Sequence, residues 1–213
     1  MDDFTKLFQR YSINLDITHR CPLECVCCQR YSSFTSKGLK VPGEDLSIDN
    51  YAKVIKYFKH INFCGQVSDP VHHPKFITFL EMAYENGNSV SIHHASAAKP
   101  EKWYKKAFEA NTRARWTFGI DGLPEESNMY RINQDGEKLF RVMQTARPIL
   151  EQKPVWQYIV FSYNENNIEE AVRMAKEIDV KFMLLYSSRW RGSKDPLKPK
   201  NEKLSLNLYV GGN

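Results

Sequence analysis

The chain has 213 residues, of which 42% are hydrophobic and 26% are charged. This composition excludes an intrinsically disordered chain and suffices for one globular domain with a sizeable core. Lys and Arg number 30 against 25 Asp and Glu, and the net charge of +5 is too small to indicate nucleic-acid binding by itself. Because no apolar stretch approaches the roughly 20 residues of a membrane helix and no secretory signal is readable, we expect a cytoplasmic protein without a membrane partner.

Six segments are predicted as strands, because apolar residues in them either alternate with polar ones or form short runs. They cover residues 11–18, 61–64, 89–94, 115–120, 155–161 and 181–186. Apolar side chains at helical spacing predict a helix between each strand and the next. These helices begin after Ser47, at Pro74, at Pro100, near Leu139 and near Ile168, and the first is expected to carry Phe58 on its apolar face.

The alternation of strand and helix over nearly the whole chain predicts a parallel sheet with right-handed crossover connections. A closed eight-unit barrel usually needs about 250 residues. Six strands in 213 residues therefore favour an incomplete barrel or an open doubly wound sheet. We predict one α/β core over residues 1–188. The following segment is rich in Lys, Pro, Gly and Asn, and we interpret residues 189–213 as a basic C-terminal tail or cap.

Four of the five cysteines lie between positions 21 and 28, directly after the first predicted strand. Such clustering in a cytoplasmic protein favours metal binding over disulfides. Cys21, Cys25 and Cys28 have the spacing C-x3-C-x2-C, and thiolates are the usual ligands of iron–sulfur clusters. A four-iron cluster ordinarily takes four thiolates, so three of them would leave one iron open to a substrate or cofactor.

This cysteine motif resembles that of the radical S-adenosylmethionine (radical SAM) superfamily. The resemblance implies a partial (β/α)6 barrel of the TIM type, with a 4Fe-4S cluster on Cys21, Cys25 and Cys28 and SAM on the open iron. It implies an oxidoreductase that reductively cleaves SAM to a 5′-deoxyadenosyl radical, which abstracts hydrogen from an unidentified substrate. A flavodoxin- or ferredoxin-like electron donor is implied in the same way. No cysteine follows Cys64, so we expect a minimal member without a cysteine-rich auxiliary-cluster domain.

The segment after the second strand is similar to the Gly-Gly-Glu-Pro segment of that superfamily, in an Asp-Pro variant. The resemblance implies that Gly65, Gln66, Ser68 and Asp69 belong to the SAM site, where an acceptor would meet the cofactor's amino group. A glycine turn capped by the side chain of Asp69 is the structural alternative.

Three later positions also resemble parts of the family's cofactor site. Asp121 lies in a segment similar to the fourth-strand Ser-Ile-Asp-Gly motif, or it simply ends the strand at an Asp-Gly turn. Ser162 and Asn164 follow the fifth strand, where the family holds ribose hydroxyls, although Asn164 is also suited to cap a helix. Arg189, after the sixth strand, is a candidate for binding a carboxylate, or it is a solvated residue of the tail.

The sequence assigns no catalytic residue. At most one of His93 and His94 should reach the cavity, because neighbouring strand residues point to opposite faces. Cys64 is predicted to lie in the core, and Cys27 is interpreted as a small buried residue of the loop. The alternative hypothesis is a non-catalytic protein in which Cys27 joins the other three clustered cysteines around a structural zinc, and the basic tail binds nucleic acid.

Overall fold

The computed structural model describes residues 10–187 and 194–201, and in these residues strands alternate with helices. The strands are β1 (Arg10–Leu15), β2 (Phe58–Cys64), β3 (Ser89–His94), β4 (Arg115–Gly119), β5 (Val155–Val160) and β6 (Lys181–Tyr186). The α-helices are α1 (Gln29–Ser33), α2 (Ile48–Tyr57), α3 (Phe76–Glu85), α4 (Glu101–Ala110), α5 (Gly136–Ala146) and α6 (Ile168–Glu177). Short 3-10 helices cover Thr35–Lys37, Pro70–His72 and Ser127–Met129.

The strands form one parallel sheet in the order β1-β2-β3-β4-β5-β6. Each strand pairs with the next one along the chain, which is the order of a barrel; a doubly wound sheet would reverse direction part-way. Among the described strands β1 and β6 each have one neighbour, so the sheet is a partial (β/α)6 barrel with an open side. Because all strands run the same way, their carboxyl ends share one rim.

The outer face of the sheet packs against the helices and carries the hydrophobic core. Alternate strand residues point to this side, and Phe63, Trp116 and Trp156 among them have no exposed surface. Helix residues meet them closely: the rings of Phe76 and Phe63 lie edge to face with centroids 5.5 Å apart. Burying one such aromatic side chain stabilises the fold by about 2–3 kcal/mol.

The first long helix confirms one sequence prediction and corrects another. Ser47 caps α2 as predicted, because its Oγ accepts the N–H of Asn50 at 3.2 Å. The expectation that Phe58 belongs to this helix is wrong, since α2 ends at Tyr57 and Phe58 is the first residue of β2. Its backbone is extended there and pairs with Arg10 of β1. Phe58 therefore pairs in the parallel sheet, although its spacing in the sequence fitted the helix.

Residues 194–201 lie against the loop that follows β5. The N–H of Ser162 donates to the carbonyl of Leu197 at 3.0 Å, and the Glu165 carboxylate accepts the N–H of Lys200 at 2.9 Å. This part of the predicted tail therefore contacts the barrel rim.

The predicted boundary between core and tail lies outside the described residues, which omit 188–193 and 202–213. The division into two parts therefore stays a prediction, and so does the role of Arg189. Within the described residues, no helix is long and apolar enough to cross a membrane.

Candidate functional site

A cavity of about 400 Å³ lies at the carboxyl ends of the strands. Its wall is formed by the cysteine loop after β1, the turn after β2 and inward-facing residues of the later strands. Neutral side chains such as Thr117, Gln157 and Ile159 make up much of the wall, and two cations, Arg30 and Arg131, also line it. Active sites of parallel barrels lie at this end of the sheet.

Three of the four clustered cysteines line the cavity. Cys21, Cys25 and Cys28 reach it as half-buried side chains, whereas Cys27 does not. A tight turn brings two of them round, because the N–H of Cys28 donates to the carbonyl of Cys25 at 3.0 Å and α1 begins directly afterwards. The structure therefore selects the same three cysteines as the sequence motif.

The surroundings of Cys21 and Cys25 favour the protonated form of these two thiols. Burial raises the pKa of Cys21, and the neighbouring Asp69 carboxylate raises it further. Burial also raises the pKa of Cys25, while the guanidinium of Arg131 acts in the opposite direction. Metal binding requires the thiolate and supplies positive charge that favours it, so ligation would release protons here.

The three cysteines that line the cavity supply the soft sulfur donors that an iron–sulfur cluster takes. Among the described residues, no group of three or more His, Cys, Asp or Glu side chains is arranged to hold a metal ion. In a four-iron cluster each thiolate binds a different iron, so the sulfurs surround the cluster and do not converge on one point. Soft sulfur donors beside a cavity fit that requirement. The zinc alternative, which needs Cys27 as a fourth ligand, gains no support.

The turn after β2 is tightly built around Gly65. A Cβ at this position would lie 1.9 Å from the carbonyl oxygen of Ser68, so only glycine fits without moving the backbone. The carboxylate of Asp16 accepts the N–H groups of Gln66 and Val67 at 2.8 and 2.9 Å and also the hydroxyl of Ser68. Gly65, Gln66 and Ser68 line the cavity. Their carbonyl groups are the acceptors that this turn offers to a ligand.

Asp69 also lines the cavity, but its carboxylate is already engaged by the backbone. One oxygen accepts the N–H groups of Ala95 and Ser96 at 2.9 and 2.8 Å, and the other accepts that of Val71 at 3.3 Å. Burial raises the pKa of Asp69 to about 6, although these hydrogen bonds oppose the shift. The bond from Val71 is the side-chain cap considered as the structural alternative, and the other two bonds tie the β2 turn to the residues after β3. A contact of Asp69 with a cofactor stays a prediction.

Asp121 is fully buried behind the cavity wall and forms an ion pair. Its Oδ2 accepts from Nε of Arg131 at 2.7 Å, and its Oδ1 accepts the N–H of Ile159 at 2.9 Å. Arg131 is 13% exposed and reaches the cavity. Asp121 therefore contacts the cavity through Arg131, a residue that was not predicted from the sequence.

Two further predicted positions, Asn164 and Ser162, do not line the cavity. Asn164 is fully buried, and its side chain bonds the backbone of Phe161 and Ile159, so it shapes the loop after β5. The hydroxyl of Ser162 donates to the carbonyl of Pro196 at 2.5 Å. Both are occupied by structural hydrogen bonds, and a direct contact of either with a cofactor stays a prediction.

The expectation that at most one of the two neighbouring histidines reaches the cavity is wrong, because His93 and His94 both line it. His93 is half-buried, whereas His94 is buried and its ring also packs edge to face against Trp116 and Phe118. Cys64 corrects a prediction, because it lines the cavity and does not belong to the hydrophobic core. It pairs with His93 across β2 and β3, on the same inner face.

Two residues of the site, Asp16 and Arg131, were missed from the sequence. A signal existed for Asp16: it follows Asn14 in an alternating strand and therefore points to the inner face at the rim. None existed for Arg131, which lies in a polar connection 10 residues after its partner Asp121.

Comparison with solved structures identifies the fold. Streptococcus suis SuiB bound to S-adenosylmethionine superposes with a TM-score of 0.68 at 14% identity, over 93% of this chain and 47% of SuiB. A radical SAM methyltransferase from Sphaerobacter thermophilus gives 0.62 at 9% identity, over 92% of this chain and 62% of that one. The Escherichia coli radical SAM enzyme HemN, a coproporphyrinogen III oxidase, gives 0.55 at 13% identity, over 86% and 46%. This chain has the radical SAM fold.

The radical SAM fold of this chain agrees with the resemblance carried by its cysteine motif. SuiB has also been crystallised with its precursor peptide SuiA. The chain spans about half the length of SuiB. Neither a protein-family model nor a curated protein sequence matches the chain.

Proposed function

We propose that this protein is a radical SAM enzyme with a 4Fe-4S cluster on Cys21, Cys25 and Cys28 and SAM on the fourth iron. The observation that carries the proposal is that these three side chains and the turn after β2 line one cavity at the rim of a partial barrel. The fold shared with radical SAM enzymes supports it.

The bound groups would supply the reaction chemistry, and the protein would bind and position them. When bound, the reduced cluster would supply one electron to SAM, whose carbon–sulfur bond would break to give methionine and a 5′-deoxyadenosyl radical able to take a hydrogen atom from the substrate. The carbonyl groups of Gly65 and Gln66 would accept from the cofactor's amino group, and Ser68 would contribute to the same site, since all three residues line the cavity. The buried carboxylates of Asp69 and Asp121 would hold these segments in place, and Asp69, which lines the cavity, is a further candidate acceptor for the amino group.

The electron comes from a flavodoxin- or ferredoxin-like donor, and the protein works in the cytoplasm, where thiols stay reduced. The substrate class is open. A precursor peptide is one candidate, because SuiB binds one. Neutral hydrogen-bonding side chains of the inner face, among them Thr117 and Gln157, are positioned to contact the substrate.

We further propose that residues 189–213 form a cap on the barrel rim. The support is the packing of its described part on the loop after β5, where Ser162 and Glu165 bind the backbone of Leu197 and Lys200. Arg189, at the start of this segment, would then be available to a carboxylate of the cofactor.

Anaerobic reconstitution with iron and sulfide tests the proposed cofactor. We expect close to four irons and four sulfides per chain in the native protein and in Cys27→Ala, and almost none in Cys25→Ala, because Cys27 lies away from the cavity and Cys25 lines it. Metal analysis and the visible absorption spectrum measure this. A colourless protein with stoichiometric zinc that depends on Cys27 would contradict the proposal and support the zinc hypothesis.

A further inference from the structure

The segment from Tyr130 to Gln134 clamps the cysteine loop onto the barrel. On either side of Cys25, the N–H groups of Glu24 and Val26 donate to the carbonyls of Ile132 and Tyr130 at 3.1 and 3.3 Å. These two bonds form a short ladder that places Cys25 opposite Arg131. The loop that carries the thiols is therefore held by a segment more than 100 residues later in the chain.

The clamp is itself anchored to the sheet. The amide Nε2 of Gln134, a 5% exposed side chain, donates to the carbonyls of Ala95 and Gly119 at 2.6 and 2.8 Å, at the ends of β3 and β4. The ring of Tyr130 stacks on Phe161 with centroids 4.2 Å apart. Both ends of the clamp thus have buried attachments, and the position of Cys25 is coupled to the barrel through them.

Arg131 is fixed within this clamp with its guanidinium at the cavity. Nε is bound to Asp121, whose other oxygen is held by Ile159. A Cβ on Gly119 would come within 2.8 Å of Nη2 of Arg131, so the missing side chain of Gly119 leaves room for the guanidinium. Among the described residues, the hydrogen bond of Arg131 to a carboxylate is made by Nε, and Arg131 lines the cavity.

The positive end of this pair faces the cavity, because Arg131 lines it together with Cys25, whereas Asp121 is fully buried behind the wall. A four-iron cluster gains one negative charge when it is reduced. A fixed cation beside one of its ligands stabilises the reduced form, and net charge is among the factors that set cluster potentials.

The geometry points to Arg131 as a positioning residue that holds Cys25 at the cluster and raises the reduction potential of that cluster. Asp121, the negative partner of Arg131, lowers the potential. The inference rests on the proposed function, since it requires a cluster on Cys25. It goes beyond that function because it assigns the control of the potential to an ion pair outside the ligand loop.

The experiment is an anaerobic redox titration followed by electron paramagnetic resonance, on reconstituted native protein and on Arg131→Gln, Arg131→Lys and Asp121→Asn. Arg131→Gln should lower the midpoint potential, with the reduced form disfavoured roughly tenfold, or about 59 mV for a one-electron couple. Asp121→Asn should raise the potential, and Arg131→Lys should stay near the native value. Arg173→Gln, which removes an exposed arginine of α6, is the control and should not shift it.

Opposite shifts of the midpoint potential in Arg131→Gln and Asp121→Asn distinguish an electrostatic role from a structural one. Damage to the fold would instead lower the cluster content of both variants and would not shift their potentials in opposite directions. Shifts in the same direction, or no shift in Arg131→Gln, would overturn the inference. If Arg131→Gln does not fold, Asp121→Asn still decides the sign, and a potential in Asp121→Asn equal to or below the native value overturns the inference. Failure of the proposed function looks different, since the native protein would then hold no cluster to titrate.

Discussion

The two faces of the sheet are built differently, although the same strands supply both. On the outer face, Trp116, Phe118 and Trp156 are fully buried and pack ring against ring with the helices. On the inner face, half-buried polar residues such as Asn62 and Gln157 alternate with them. A complete TIM barrel fills its interior with bulky branched side chains. The polar interior here therefore indicates a surface kept for ligands, while the outer face supplies the stability.

Gly65→Ala is expected to have the largest effect. It should impair both ligand binding and stability, because Gly65 lies on the ligand side and its turn has no room for a side chain. The added methyl group would lie 1.9 Å from the Ser68 carbonyl oxygen. We expect a loss of about 3 kcal/mol in the free energy of unfolding, together with loss of SAM binding by the reconstituted protein. Urea denaturation and equilibrium binding measure the two effects.

The matched control is Gly38→Ala, whose added methyl group has nothing within 4 Å and costs only the strain of a φ of +68°. That strain should amount to about 1 kcal/mol. Equal stability of the two variants would mean that the β2 turn is not built as described.

Acidification should destabilise the outer face through His94. Its ring is enclosed by aromatic side chains, and burial lowers its pKa to about 3. Because the unfolded chain takes up a proton near pH 6.5 and the folded one does not, stability is greatest above that pH and falls as the pH drops. The loss between pH 7 and pH 5 should be about 2 kcal/mol from this residue.

The test compares urea denaturation of the native protein and His94→Phe at both pH values. His72, whose pKa burial lowers to about 4, contributes with the same sign in both proteins, so the difference between them isolates His94. An unchanged pH dependence in His94→Phe would show that this ring is not enclosed when the protein folds.

Two buried tryptophans of the outer face give a further prediction, with a smaller expected effect on stability. Nε1 of Trp156 donates to the Ile120 carbonyl at 2.8 Å, whereas Nε1 of Trp116 has no partner among the described residues. Trp156→Phe should therefore cost about 1 kcal/mol more than Trp116→Phe, since it leaves a buried carbonyl unsatisfied. Urea denaturation measures both, and cluster content should stay unchanged. A larger cost for Trp116→Phe would contradict this assignment.

The sequence predicted the outer face better than the inner one. Apolar periodicity responds to packing, so it located all six strands and the five long helices, with an error at Phe58 where the β1–β2 ladder begins early. The three cysteines that line the cavity were predictable because their spacing is local. Cys64 was misplaced, although Ile61 and Phe63 on the core side already implied that it points inward.

The hydrogen-bonding partners within the site could not be predicted because they come from distant parts of the chain. Asp69 was expected to face a ligand, yet its carboxylate binds N–H groups of Ala95 and Ser96 on another strand end. Arg131 reaches Cys25 only through the fold. No local pattern encodes either contact.

The production of 5′-deoxyadenosine tests the central claim most directly. Cluster-loaded protein, reduced with dithionite under anaerobic conditions, is incubated with SAM, and the products are separated by chromatography. The account predicts 5′-deoxyadenosine and methionine from the native protein and from Cys27→Ala, and neither above background from Cys25→Ala. A native protein that carries a reduced four-iron cluster yet neither binds nor cleaves SAM would contradict it.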